Sequence, residues 1–379
     1  MNVLKGKNDR PGDGKTVAVA MSGGVDSSVA ACLLSKAGYR VIGLTMRLFC
    51  YASAETTAKS CCNLEAIADA RAVCRSIDAP HYVIDCEEEF SRLVIDRFVE
   101  QYLAGCTPNP CVDCNRLIKF SYLLERARSL GVDYLATGHY VRKIQLRDGL
   151  PGLARGLDPE KDQSYFLWSI PALNLSSFLF PLGDYRKKQV RELAEEFGLQ
   201  VSQKQESQEV CFIASGSVRS FLRKYYETSG KEKLPPNMCP GPLVDTEGCE
   251  LGQHRGSAFY TVGQRRGLNV SLGKPAYVTA IDASTNTVVL GDADDLMADL
   301  VEAGSANYIM PDPEKPFRAQ IQVRYRQKPA AARVFPEKGG RVCIRLDSPL
   351  RAITPGQSLV FYDGEILVGG AVIETARMA

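Results

Sequence analysis

The sequence predicts an α/β protein in which a doubly wound parallel sheet is followed by a small β-rich domain and a C-terminal β-barrel. In the first half of the chain, short apolar runs alternate with amphipathic helical patterns, as in parallel sheets with helical crossovers. After about residue 222, glycine, proline and short alternating runs replace the helical patterns. The length of 379 residues exceeds one ordinary core, so we expect domains at residues 1–222, 223–298 and 299–379.

Each predicted element follows from its local pattern. Apolar runs of strand length predict strands at residues 16–21, 40–48, 81–85 and 134–137. Helical periodicity predicts helices at residues 27–37, 63–77, 87–103, 115–130 and 187–197. Alternating runs predict strands at residues 259–262, 276–281, 287–290, 317–325, 341–346, 358–362 and 365–368. Asp363-Gly364 separates the last two runs and is a strong hairpin-turn signal.

Composition excludes a largely disordered chain. Apolar residues make up 45% of the sequence and charged residues 24%, which suffices for packed cores. The chain has no apolar run long enough to span a membrane, and its first residues are polar and glycine-rich. We therefore expect a cytoplasmic protein with no membrane partner.

Local clusters of cations must carry any binding of nucleic acid, because the net charge is only +2. The clusters are at residues 186–188, 265–266 and 324–328. Most clusters of this kind are ordinary solvated surface. On an alternating strand, however, Arg324, Arg326 and Lys328 would share one face, which suits contacts with backbone phosphates.

The loop after the first strand has the sequence SGGVDSS, at residues 22–28. Two glycines allow close approach of the backbone, and the N–H groups of the loop and the following helix form an anion site. Asp26 is an unusual neighbour for a phosphate unless it orients the loop or binds Mg²⁺. A plain glycine turn with a helix cap is the alternative, and the complete heptad between strand and helix disfavours it.

The 13 cysteines of a cytoplasmic chain are core fillers, metal ligands or reactive thiols. Cys111 and Cys114 lie in a proline-rich polar loop, and we place Cys114 at a helix start, where the helix dipole favours its thiolate. Cys211 follows polar residues, and we expect it to be accessible. Inert core filling is expected for most of Cys32, Cys50, Cys61, Cys62, Cys74, Cys86, Cys239, Cys249 and Cys343.

Further motifs complete a recognisable set. They are TPNPC..CN..IKF from residue 107, ATGHY from 136, KDQSY from 161, SQEVCF from 207, GQHRG from 252, YTVGQRRG from 260 and TPGQ from 354. Together with SGGVDSS they resemble the bacterial tRNA-specific 2-thiouridylases of the ATP-pyrophosphatase (PP-loop) superfamily. The resemblance runs from about residue 16 to the C-terminus, and it implies an adenine nucleotide alpha hydrolase-like sheet in the first domain.

The resemblance implies ATP-dependent 2-thiolation of the wobble uridine, position 34, of tRNA. ATP adenylates O2 of the base with release of pyrophosphate, and sulfur from a cysteine persulfide or a cluster-bound sulfide then replaces it. Cys211 would carry the persulfide, and Cys114 would be the nucleophile that releases or reduces it. The implied ATP site comprises Ala20, Met21, Ser22, Gly23, Gly24, Val25, Asp26, Ser27, Met46 and Gly138.

The resemblance also assigns residues to the RNA. Asn109, Pro110 and Cys111 would lie against the target base. The other implied tRNA contacts are His139, Lys161, Asp162, Gln163, Arg324, Tyr325 and Gln357. A histidine at a strand end is usually structural, but Gly138 beside His139 at the ligand edge of a sheet favours a site role.

The sequence departs from the family pattern at Cys111, where many members carry an aspartate that is a candidate acid or base. Cys111, Cys114 and Cys211 are three thiols that could hold a [4Fe–4S] cluster with one open iron. A structural zinc site and a metal-free dithiol are the alternatives. We favour persulfide chemistry over a cluster, and both over zinc.

The expected cofactors are ATP and Mg²⁺, and the expected partners are tRNA and a sulfur-donor or sulfur-relay protein acting on a monomer. Two other functions compete with thiolation. One is a different adenylating PP-loop ligase, and the other is a non-catalytic tRNA-binding sulfur carrier. Release of pyrophosphate that depends on tRNA separates the thiolating enzyme from both.

Overall fold

The computed structural model describes residues 12–48, 64–204, 210–213, 217–228, 233–268, 270, 273–310 and 313–379. Within these ranges the predicted fold class is confirmed, with a parallel sheet, a small β-rich unit and a closed antiparallel barrel. No helix in the same ranges is long and apolar enough to cross a membrane.

The first sheet has five strands, β1 (Thr16–Ala20), β2 (Arg40–Arg47), β3 (His81–Asp85), β4 (Tyr134–Ala136) and β7 (Phe178–Leu179). All of its pairings are parallel, and the order is β3-β2-β1-β4-β7. The first four strands confirm the predicted ones. The sequence pattern does not indicate β7, because a strand of two residues shows no periodicity.

The helices confirm the predicted alternation. They are α1 (Val25–Lys36), α2 (Leu64–Ser76), α3 (Glu87–Phe90), α4 (Asp96–Leu103), α5 (Pro110–Asp113), α6 (Leu123–Ser129), α7 (Lys187–Glu196) and α8 (Val218–Thr228). A π-type segment, Ser91–Ile95, joins α3 to α4, so the predicted helix at residues 87–103 is continuous. A second π-type segment, Cys114–Tyr122, joins α5 to α6, so that helix begins at Pro110 and not at residue 115.

The parallel sheet separates two apolar cores because successive side chains of a strand point to opposite faces. Val17 and Val19 of β1 pack in the core that includes residues of α1 and α7. Ala18, between them, packs in the other core, which contains Leu124 of α6 and also Tyr362 from the end of the chain. The first domain therefore shares a core with the barrel.

The middle unit is a sheet of four strands, β8 (Gly241–Val244), β9 (Glu250–His254), β10 (Tyr277–Asp282) and β11 (Thr287–Gly291). Their order is β10-β11-β8-β9. The predicted strand at residues 259–262 is wrong. Ser257–Phe259 form a 3₁₀ turn, and the irregular backbone after it reaches the first domain through Thr261.

The barrel has six strands, β12 (Met297–Tyr308), β13 (Phe317–Gln322), β14 (Ala330–Pro336), β15 (Val342–Arg351), β16 (Ser358–Asp363) and β17 (Ile366–Arg377). The ring runs β12-β15-β14-β13-β16-β17 and closes where β12 pairs with β17. A hairpin from the first domain, β5 (Val141–Gln145) and β6 (Pro151–Arg155), extends this sheet by pairing with β17.

The predicted domain boundaries fall inside regular elements. Residue 222 lies within α8, and residue 298 lies within β12. The division at these two positions stays a prediction.

Candidate active site at the carboxyl edge of the parallel sheet

The SGGVDSS loop occupies the carboxyl end of β1 and leads directly into α1. The helix begins at Val25, two residues before the predicted start, with Gly24 as its N-cap. Gly138, which follows β4, packs on this turn so closely that a Cβ atom there would lie 2.9 Å from the Ser27 nitrogen. The two loops that the resemblance assigns to ATP are therefore in contact.

Hydrogen bonds inside the loop fix its shape. The Ser27 hydroxyl accepts from the Ser22 N–H at 3.1 Å and donates to the Gly24 carbonyl at 3.2 Å. Gly23 has a φ of 67°, and a Cβ atom there would overlap the backbone of Ala66 in α2. Glycine is required at this position by both conformation and space, so the loop is preorganised.

Lys187 is a site residue that the sequence analysis misses. Its ammonium group lies 2.8 and 2.9 Å from the two carboxylate oxygens of Asp26, and only 8% of the residue is exposed. The Tyr140 hydroxyl also donates to Asp26, at 2.7 Å. Treating residues 186–188 as one surface cluster is wrong for Lys187, because a helix that begins there turns Arg186 and Lys188 outward and Lys187 inward.

Asp26 therefore orients the loop and a buried cation. Its carboxylate is occupied by Lys187 and Tyr140, which does not suit a direct Mg²⁺ ligand. Lys187 brings a positive charge to a loop whose N–H groups already favour anions. Helix N–H groups with a lysine beside them suit an anion such as a polyphosphate.

The backbone after Gly138 is tied to the KDQSY motif. The Tyr140 N–H donates to the side-chain oxygen of Gln163, and the Gln163 N–H donates to the Tyr140 carbonyl, each at 3.0 Å. His139 shares a 2.8 Å hydrogen bond between its Nδ1 and the Thr137 hydroxyl. Burial, with a smaller contribution from the Lys119 charge, lowers the pKa of His139 well below its ordinary value.

The cysteine loop begins a helix one turn earlier than the sequence predicts. Pro110 takes the first helical position, so Cys111 lies in the first turn and Cys114 in the second. Placing Cys114 at the helix start is therefore wrong. Cys114 is 8% exposed, whereas Cys111 is exposed to solvent.

Cys114 and Cys211 come together in one apolar cluster. Cys114 packs there with the buried residues Leu48, Cys86, Phe90, Val94 and Ile118. Cys211 is half-buried and packs against the same cluster, as does Met46 from the carboxyl end of β2. The two predicted sulfur residues and the residue predicted beside the adenine therefore share one neighbourhood.

The cysteines that the structure describes do not form a metal site. Throughout the part of the chain that the structure describes, no three His, Cys, Asp or Glu side chains are grouped so as to hold a metal ion. Cys111, Cys114 and Cys211 are all inside that part, and they differ in exposure from open solvent to nearly complete burial. The described residues fit neither a [4Fe–4S] cluster nor a structural zinc ion.

The remaining cysteines divide into core and surface. Cys32, Cys74 and Cys86 are buried, and burial raises their pKa values to about 11, about 11 and about 12. Cys249 is exposed, so inert core filling is wrong for it, and Cys239 and Cys343 are half-buried. Cys50, Cys61 and Cys62 lie outside the described residues.

Many family members carry aspartate at the position of Cys111. In this chain the carboxylate nearest to that position in sequence is Asp113. It forms ion pairs with Arg116 at 3.4 Å and with Arg97 at 3.7 Å. Burial raises the pKa of Asp113 against the opposing effect of these two arginines. The three side chains line a cavity of about 30 Å³ together with Asn109 and Trp168.

Both later domains hold the start of the cysteine loop. The Gln357 amide donates to the Thr107 carbonyl at 2.7 Å, and the Thr107 N–H donates to the Pro355 carbonyl at 2.8 Å. The Thr107 hydroxyl donates to Thr261 of the middle unit at 3.1 Å. The TPGQ motif thus positions the loop, and the predicted contact between Gln357 and tRNA stays a prediction.

Of the predicted tRNA residues Lys161, Asp162 and Gln163, Asp162 lines a cavity of about 200 Å³ whose wall also includes Gln322 of the barrel. Asp162 is buried there, with an ion pair to Arg155 at 3.0 Å and hydrogen bonds from Gly156 and Ser164. Its carboxylate therefore stabilises the wall of the cavity. Tyr325, also in the wall, lies 4.6 Å from Phe166 between ring centroids.

The alternating strand predicted through residue 325 is wrong, because β13 ends at Gln322. Arg326 has a φ of 65° in the turn that follows, so Arg324, Arg326 and Lys328 do not share a strand face. All three residues are exposed. The Arg324 guanidinium donates to the Ala352 carbonyl, and Arg326 and Lys328 lie at the rim of the 200 Å³ cavity.

Comparisons with known proteins agree with this architecture. Residues 15–215 match the family model described as tRNA methyl transferase HUP domain. Residues 231–292 match the tRNA methyl transferase PRC-barrel domain, and residues 298–373 match the aminomethyltransferase beta-barrel domain. The chain is thus an ATP-using enzyme of the HUP-domain class.

Two relatives are similar over nearly their whole length. The tRNA-specific 2-thiouridylase MnmA of Moorella thermoacetica is 48% identical over 361 residues, covering 94% of this chain and 99% of the relative. That of Magnetococcus marinus is 46% identical, covering 94% of this chain and 98% of the relative. The chain belongs to the family of tRNA-specific 2-thiouridylases, which confirms the resemblance seen in its motifs.

A solved structure shares part of the fold. The U34-tRNA thiolase NcsA from Methanococcus maripaludis, solved with its [4Fe–4S] cluster, is 19% identical with a TM-score of 0.34. The match covers 59% of this chain and 67% of that chain.

Proposed function

We propose that the chain is an ATP-dependent tRNA-uridine 2-sulfurtransferase that replaces O2 of uridine 34 with sulfur. One observation carries the proposal. Cys114 and Cys211, distant in sequence, pack in one cluster with Met46 at the carboxyl edge that also bears the SGGVDSS loop. Such an edge brings a nucleotide and two thiols to the same base.

Activation of the base uses the loop and Lys187. The phosphates of ATP would lie against the loop N–H groups and the Lys187 ammonium, with Ala20 to Ser27, Met46 and Gly138 around the nucleotide. Uridine O2 forms a bond to the α-phosphorus, and pyrophosphate leaves with the electron pair of the broken P–O bond. The Mg²⁺ that accompanies ATP as part of the substrate would supply shielding of the leaving charge. Donors fixed before the reaction stabilise that charge without reorganisation.

Sulfur transfer uses the cysteine pair. The terminal sulfur of a Cys211 persulfide attacks C2, and AMP leaves carrying the former O2. Cys114 then attacks Sγ of Cys211 and releases the thiolated base, or it frees sulfide from the persulfide before the attack on C2. In either order the two cysteines end as a disulfide, and the sulfane sulfur takes up the two electrons.

The tRNA would contact both the first domain and the barrel. We place the target base against Asn109, Pro110 and Cys111. The proposed contacts beyond the base are His139, Lys161, Gln163, Tyr325 and the cavity rim. A sulfur-donor or sulfur-relay protein loads Cys211, and the chain acts as a monomer.

Mass spectrometry of tRNA nucleosides tests the proposal. Unmodified tRNA would be incubated with MgATP and inorganic polysulfide as the source of sulfane sulfur, and 2-thiouridine would be measured together with pyrophosphate. Ser27→Ala should lose both products, because it removes three hydrogen bonds from the loop. Cys211→Ser should lose 2-thiouridine and keep tRNA-dependent release of pyrophosphate.

The exposed Cys249 supplies the matched control, since Cys249→Ser changes a thiol in the middle unit and should leave both products at wild-type levels. Pyrophosphate release without tRNA would favour a different adenylating ligase. Absence of both products in the wild type would favour a non-catalytic sulfur carrier.

A further inference from the structure

We infer that Cys111 is a resolving thiol that takes over the disulfide left between Cys114 and Cys211 and exposes it to solvent, an inference that rests on the proposed function. Cys111 is the position at which this chain departs from the family pattern. It is exposed, in the first turn of the helix that carries Cys114 in its second turn.

Burial of one sulfur of the product disulfide creates the need for such a thiol. Each round of transfer leaves Cys114 joined to Cys211, and Cys114 is 8% exposed. Cys114 packs in a cluster with Leu48, Phe90 and Val94, and the half-buried Cys211 packs against the same cluster. Thiol–disulfide exchange requires in-line access of a thiolate to a sulfur atom, so an external reductant has little access to Cys114, the sulfur at which attack would release Cys211.

The position of Cys111 satisfies that requirement from inside the protein. Residues three apart on a helix are neighbours on one face, so Cys111 lies one turn from Cys114 on the solvent side. The position of Cys111 in the first turn of a helix and the Cys-X-X-Cys spacing favour its thiolate. An exposed thiol therefore lies three residues before the buried one on the same helix.

The thiol–disulfide exchange needs no external oxidant, because one disulfide bond forms as another breaks. The Cys111 thiolate attacks Sγ of Cys114, the bond between Cys114 and Cys211 breaks, and its electron pair leaves on Cys211. A disulfide between Cys111 and Cys114 forms, and Cys211 is ready for a new persulfide. A dithiol reductant in solution then attacks the exposed Cys111 sulfur, and two electrons and two protons restore both thiols.

Disulfide mapping after one turnover tests the inference. Wild-type enzyme loaded with persulfide would react with excess tRNA and MgATP without reductant, followed by alkylation with N-ethylmaleimide and peptide mass spectrometry. The expected disulfide joins Cys111 to Cys114, with Cys211 alkylated. In Cys111→Ser, the disulfide between Cys114 and Cys211 should persist.

A kinetic ratio supplies the second readout. With a dithiol reductant and polysulfide, the rate of later turnovers divided by the first-turnover rate should fall about tenfold or more in Cys111→Ser and in Cys111→Asp. The ratio separates recycling from any loss of base contact, since such a loss slows the first turnover as well. Cys249→Ser, another exposed cysteine, should keep the wild-type ratio.

Two outcomes would overturn the inference while thiolation itself succeeds. One is a wild-type disulfide between Cys114 and Cys211 with Cys111 alkylated, and the other is thiolated tRNA with all three cysteines reduced. A first turnover that yields no 2-thiouridine would instead count against the proposed function. The two failures are thereby distinguished.

Discussion

The Lys187 ammonium bridges both carboxylate oxygens of Asp26 at 2.8 and 2.9 Å, and it joins the loop after β1 to the first residue of α7. The Lys187 N–H also donates to Asp158 at 2.9 Å, which fixes the backbone at the same point. The SGGVDSS loop is therefore held by a residue 161 positions further along the chain than Asp26.

Removing the Lys187 charge should impair activation of the base more than binding of tRNA. We expect Lys187→Gln to lower pyrophosphate release about 10²- to 10³-fold, the usual effect of losing one electrostatic donor in an active site. The rate of pyrophosphate release at saturating tRNA measures this loss. The exposed neighbour Lys188, changed to glutamine, is the control and should keep the wild-type rate.

Cys86 should stay unreactive although it lies beside Cys114. Burial raises its pKa to about 12, with smaller contributions from Glu89, Asp85 and Cys114. At pH 8 iodoacetamide should therefore label Cys111 in the folded protein and label Cys86 only after denaturation. Mass spectrometry of labelled peptides measures both, and rapid labelling of Cys86 in the folded state would contradict the packing described.

His139 should make the fold less stable in mild acid. Its pKa is lowered in the folded protein by burial and the Lys119 charge, so the unfolded chain binds a proton that the folded chain does not. Stability is then lost as pH falls below about 6.5. We expect the free energy of unfolding to drop less between pH 7.5 and pH 5.5 in His139→Gln than in the wild type. Urea titrations at both pH values measure the difference.

Gly356 should be essential for the position of the cysteine loop. It has a φ of 87°, and a Cβ atom there would lie 2.9 Å from the Thr107 nitrogen. Gly364 in the β16–β17 turn has a φ of 58°, and no atom of the described residues would lie within 4 Å of a Cβ there. Alanine at either position carries the left-handed backbone strain of about 1–2 kcal/mol. We expect Gly356→Ala to lose more unfolding free energy and more thiolation activity than Gly364→Ala, because only the first variant also disturbs the contact with the cysteine loop.

Arg326 and Lys328 should bind phosphates of the tRNA. Both are exposed at the rim of the 200 Å³ cavity. Replacing either with glutamate should weaken binding and reduce the slope of log affinity against log salt by about 1. Lys338→Glu, an exposed barrel cation away from the cavity lining, is the control. An unchanged slope in the Arg326 variant would exclude the rim as an RNA contact.

The sequence predicted those features that depend on residues close together in the chain. The strands of the parallel sheet and the SGGVDSS turn follow from apolar runs and glycine conformations within a few residues. Helical periodicity could have placed Lys187 inward, because it lies three residues before Val190 and seven before Ala194 on the buried face of α7, whereas Lys188 lies off that face. Its partner could not be found in this way, because Asp26 is 161 positions away and the packing of α7 against α1 brings the two together.

Other elements that the sequence analysis did not predict correctly do have a sequence signal. The hairpin of β5 and β6 turns near Asp148-Gly149, the same kind of dipeptide that correctly indicated the β16–β17 turn. Charged residues in β5 obscure its alternation. The overlong strand at residues 317–325 arose because alternation continues into a turn, where the left-handed backbone of Arg326 follows the end of the strand.

The hairpin that joins β17 gives the chain an interleaved design. Backbone from the ATP-binding part is a structural component of the barrel, with Leu153 opposite Leu367. No single cut in the polypeptide can release either part as an intact module. Domain exchange between homologous enzymes would have to transplant the hairpin together with the barrel, or leave an unsealed strand edge on both fragments.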